Sequence, residues 1–98
     1  MDYEIFKLPK GKSALLGKIV QDDLVSRQTI AVRDTISLGI EGEDTIVLIE
    51  GSDPALKRAV EIVGEEGIIL KGAEKSETYK KIKDDEDNVA EGLGLMFG

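Results

Sequence analysis

The 98-residue sequence predicts an α+β fold, a ferredoxin-like βαββαβ sandwich with an added C-terminal helix. Three observations predict it. Apolar spacing switches between the two-residue period of strands and the 3.6-residue period of helices, in the order β-α-β-β-α-β and then a helix. Two segments, Asp34–Gly42 and Asp44–Gly51, echo each other and read as the arms of one hairpin. Ser52-Asp53-Pro54 is a strong helix start, because Asp53 can cap free N–H groups and Pro54 suits the first helical position.

Each element has its own justification. Asp2 to Leu8 carries Tyr3, Ile5, Phe6 and Leu8 and reads as the first strand, closed by the turn Pro9-Lys10-Gly11-Lys12. Ser13 is a suitable N-cap. Leu15, Leu16, Ile19, Val20 and Leu24 then recur at helical spacing, placing the helix end near Ser26. From Gln28 the helical period fails. Ile30 and Val32 alternate, and so do Ile36, Leu38 and Ile40, which predicts strand; extension of the first helix to about Val32 is the rival reading.

Leu56, Ala59, Val60 and Val63 form one apolar stripe ending at Gly64, a residue suited to a left-handed cap. Gly67 to Gly72 then brackets a short buried strand. A third helix is expected from about Ser76 to Glu91, followed by the apolar tail Gly92 to Gly98. One domain covers the chain, with a core over residues 1–72 and the helix and tail over 73–98. In the strand Thr45 to Ile49, alternate residues are apolar on both faces. The second face therefore needs a cover: the C-terminal helix, the tail, or a second copy.

Composition excludes several chemistries. The chain has no Cys, His or Trp. Thiolate catalysis, a Ser-His-Asp triad, disulfides and the usual zinc sites are ruled out. No cofactor and no metal site is expected. The net charge is −7, and two blocks, residues 34–56 and 84–98, hold six and five acids with no base. Such blocks repel a phosphate backbone, so nucleic-acid binding is not expected. The N-terminus lacks the basic and apolar regions of a signal peptide, and no apolar run is long enough to span a bilayer. A cytoplasmic protein without membrane contact is the expectation. Gln21, Gln28 and Asn88 are the only amides, a thermophile-like bias.

Several motifs carry candidate chemistry. Gly11-Lys12-Ser13 follows a strand and precedes a helix, but Phe6 stands where a P-loop needs its first glycine. What remains is a candidate anion site at Lys10, Gly11, Lys12 and Ser13, where free N–H groups and two lysines attract phosphate or carboxylate. Glu41, Glu43 and Asp44, and likewise Asp84 to Asp87, lack the EF-hand pattern. Asp22 and Asp23 are adjacent on a helix, so their side chains diverge, and no catalytic constellation emerges. Leu93, Leu95, Met96 and Phe97 are four large apolar residues near the C-terminus and form the candidate interaction site.

The segment Leu8 to Ile19 resembles the start of an ACT domain, in a dozen residues plus the order of elements. That likeness implies a regulatory module that binds amino acids at paired interfaces. The acidic residue and Pro-Gly usual after the first strand of that family are missing here, so the likeness is one of fold. The expected function is a small non-enzymatic module that self-associates, as a homodimer, or binds a protein partner. The alternative is a binding domain for a small anionic metabolite.

Overall fold

The computed structural model describes the backbone of residues 2–97 and the side chains of residues 2–86. Strand β1 (Asp2–Leu8) leads into helix α1 (Ala14–Gln21), strand β2 (Thr29–Asp34), strand β3 (Thr45–Gly51), helix α2 (Asp53–Val63), strand β4 (Ile68–Ile69) and helix α3 (Gly72–Phe97). The four strands form one antiparallel sheet in the order β2-β3-β1-β4. The β1-α1-β2 connection therefore steps over β3, and β3-α2-β4 steps over β1.

Alternation along the strands divides the core in two. Phe6 and Leu8 of β1 and Val47 and Ile49 of β3 face one side, where Leu15 and Ile19 of α1 and Leu56, Ala59 and Val63 of α2 cover them. Ile5, Ile46 and Leu48 face the other side, packed with Leu38, Leu70 and Ile82, and Tyr79 lies against this group. The cover demanded by the two-sided apolar β3 is thus supplied by α3.

Four boundaries differ from the sequence expectation. The first helix stops at Gln21, not near Ser26. Asp22 turns the chain aside, its Oδ2 accepting from the amides of Leu24 and Val25 at 3.2 Å each, and a 3₁₀ turn (Val25–Arg27) follows. Residues 29–34 are strand, so the helix extension to Val32 is set aside.

The hairpin's first arm does not continue through Ile36, Leu38 and Ile40. Those residues lie in a loop over residues 35–44 that contains a second 3₁₀ turn (Ile36–Leu38). Thr35 organises it. Its buried hydroxyl donates to the Gly42 carbonyl at 2.8 Å and accepts from the Asp44 amide at 3.1 Å, bonds a continued strand could not make. Finally, α3 starts at Gly72 rather than Ser76 and runs to Phe97, taking in residues expected as a separate tail. Ala73, Glu74 and Lys75 are good helix formers, as are Leu and Met further on.

The caps also differ in detail. Ser13 sits at the N-cap of α1 in helical conformation and makes no side-chain capping bond. Asp53 is the first residue of α2 rather than its cap, and Gly64 closes that helix at φ +55°.

Candidate interaction surface

Strand β2 is one edge of the sheet, paired only with β3. The direction of its backbone groups follows from the pairing register. The Leu70 amide donates to the Ile5 carbonyl, so Ile5 turns its backbone toward β4. Its partner Leu48 then faces β2, and Ala31, opposite Leu48, turns inward. Ile30 and Val32 must therefore present their N–H and C=O groups outward.

Apolar surface accompanies this edge. Ile30 and Val32 point to the side covered by α1 and α2, where Ile30 packs on the core and Val32 remains 37% exposed. Val20 and Leu24, on the segment leading into β2, are 43% and 40% exposed. On the opposite side, Arg33 Nε donates to Asp85 Oδ2 at 2.8 Å, and its Nη1 donates to the outward Val32 carbonyl, also at 2.8 Å. A charged side chain lying over an edge carbonyl is a known guard against unwanted strand pairing. Sequence reasoning missed Arg33 and Val32. Their pattern marks a strand, but whether that strand is central or at an edge is a property of topology.

A second cluster fastens α3 to the sheet. Tyr79 Oη donates to Glu50 Oε2 at 3.1 Å, and Lys83 Nζ donates to Glu50 Oε1. Lys75 Nζ donates to Glu4 Oε1 at 2.9 Å and lies 4.9 Å from the centre of the Tyr3 ring. Burial and the nearby Glu50 carboxylate push the Tyr79 phenol up, and the hydrogen bond to Glu50 pushes the Lys83 ammonium up. Both shifts favour the protonated forms, the opposite of what a base working near neutral pH requires.

The predicted anion-site residues lie on the turn between β1 and α1. Lys10 Nζ is 2.9 Å from Glu43 Oε2, and Lys12 Nζ is 3.8 Å from Glu66 Oε1, so each ammonium already faces a carboxylate. Gly11 holds φ +94° in that turn. Asp22 pairs with Arg58 at 2.9 Å, which holds its carboxyl below the ordinary value. Among the described residues no group of three or more acidic side chains is placed to hold a metal ion. The side chains of Leu93, Leu95, Met96 and Phe97 lie outside the described residues.

An open cleft of about 530 Å³ lies where β4 stops short of the start of β1, bordered by Tyr3, Leu56, Val60 and Lys75. Asp2 and Asp53 meet at its rim, and the Asp2 carboxylate pushes the Asp53 carboxyl up. No helix among the described residues is long and apolar enough to cross a membrane. Compared with protein-family models, curated proteins and solved structures, the chain matches none.

Proposed function

We propose that this chain is a small non-enzymatic module, ferredoxin-like in fold, that works by associating with a second copy of itself. The fold reading is supported by the strand order β2-β3-β1-β4 with antiparallel neighbours, which is the order a split βαβ pair generates when each crossover steps over one strand. The observation that carries the functional reading is the β2 edge, where outward backbone groups flank the exposed Val32. The shifts at Tyr79 and Lys83 favour a fastening role for the most polar cluster over a catalytic one.

Sedimentation equilibrium tests the reading. A monomer–dimer equilibrium in the micromolar to millimolar range is expected. A mass that stays at 10.6 kDa throughout that range would refute it.

A further inference from the structure

We propose that β2 is the pairing edge for the second copy, with Ile30 opposite the partner's Val32, and that Arg33 gates that pairing. The inference rests on the self-association reading and adds to it an interface, a register and a control.

The occupant follows from the edge itself. Outward residues must pair with outward residues, so a two-fold axis passes through a residue of the strand, near its centre Ile30, Ala31 or Val32; the axis at Ile30 pairs the two Ile30 residues but sets Val32 opposite the partner's Gln28. The axis at Ala31 places Ile30 opposite the partner's Val32 and Val32 opposite the partner's Ile30, two apolar pairs on the helix-covered side. On the other side it sets Thr29 opposite the partner's Arg33 and the two Ala31 residues opposite each other. No like charges meet. The axis at Val32 would instead set Ile30 opposite the partner's Asp34, which faces an apolar side chain with a carboxylate. Of these registers the one centred on Ala31 gives the strand Thr-Ile-Ala-Val-Arg-Asp two apolar pairs with a second copy and brings no like charges together.

The gate follows from the hydrogen bonds. In this register the Val32 carbonyl accepts from the partner's Ile30 amide. In the isolated chain that carbonyl is already taken by Arg33 Nη1 at 2.8 Å, while Arg33 Nε is held by Asp85 of α3. The partner's Ile30 amide and Nη1 then compete for the same carbonyl oxygen, which weakens both bonds, while the Nε–Asp85 bond can stay intact. The gate weakens association without forbidding it.

The test combines sedimentation equilibrium with amide hydrogen exchange on the full chain and two variants. Val32→Lys should abolish the dimer, with circular dichroism checking that the fold is kept. Arg33→Ala should tighten it about tenfold. In the wild-type protein, exchange at the Ile30 and Val32 amides should slow as concentration rises, while exchange at Ala31, already bonded to β3, should not change. The exchange measurement stands on its own if a variant fails to fold. A dimer that survives Val32→Lys, with no concentration dependence at Ile30 or Val32, would overturn the β2 interface and leave self-association standing. A dimer lost in Val32→Lys but unchanged in Arg33→Ala would overturn the gate. A monomer in every case at millimolar concentration would overturn both this inference and the function on which it rests.

Discussion

The rings of Tyr3 and Tyr79 stack with their centres 4.1 Å apart and their planes 28° from parallel. One ring belongs to the first strand and the other to the last helix, so the contact ties β1 to α3. Lys75 lies against Tyr3 and Lys83 against Tyr79, which adds one cation to each ring of the pair.

Substitutions at Tyr79 separate its two contributions. Tyr79→Phe keeps the stack and loses only the bond to Glu50, whose carboxylate retains Lys83. The expected loss is about 0.5–1.5 kcal/mol. Tyr79→Ala removes the ring and should cost about 2–3 kcal/mol, less than the loss at a fully buried aromatic. Urea unfolding of the two variants beside the wild type measures both.

The same cluster makes stability fall in alkali. The Tyr79 phenol is pushed above its ordinary value of 10.0, and the Lys83 ammonium above 10.5. Both groups hold their protons more tightly folded than unfolded. Their contribution is complete below the unfolded values and is lost as pH rises through the folded ones. Stability should therefore decline from about pH 10 upward. Glu50→Gln, which removes the charge acting on both groups, should flatten that decline in a series of denaturant melts.

Thr35→Val tests the loop between β2 and β3. The variant is close in shape but strands the Gly42 carbonyl and the Asp44 amide without their partner. A loss of about 1–3 kcal/mol is expected. Thermal unfolding followed by circular dichroism would detect it, and a change of a few tenths would show that the hydroxyl does not organise the loop.

Gly67→Ala should be destabilising although the residue lies at the end of a loop. A Cβ there would stand 2.5 Å from Val63 Cγ1 and 3.1 Å from Leu8 Cδ2, both in the core. Forcing those side chains apart costs about 1–3 kcal/mol. Gly17→Ala, where a Cβ meets nothing within 4 Å, is the control expected to melt no lower than the wild type.

Element order was legible because each true element carries its own period. The stripe Leu56, Ala59, Val63 and the two-sided run Ile46 to Ile49 keep in the structure the roles their spacing predicts. The failure at Ile36, Leu38 and Ile40 has a physical cause. Alternation is also met by a 3₁₀ turn that drops one residue, Leu38, under α3 and leaves Ile36 72% exposed, and only the tertiary position of α3 separates the two cases. Lys10 and Lys12 stand in the sequence without their neighbours. Glu43 and Glu66, remote in the chain, stand beside them in the fold. Arg33 was invisible for the same reason, since Asp85 is 52 positions away.

The placement of α3 has a consequence for how the chain is made. Ile5, Ile46 and Leu48 belong to strands that are complete once Gly51 has been added, yet Ile82, which helps cover them, is synthesised much later. On the ribosome the sheet passes through an interval with one face sealed by α1 and α2 and the other lacking the cover of α3. During that interval the nascent chain is a sticky surface for other emerging chains and a natural substrate for a chaperone. Removing α3 from the finished protein would return the sheet to the same condition.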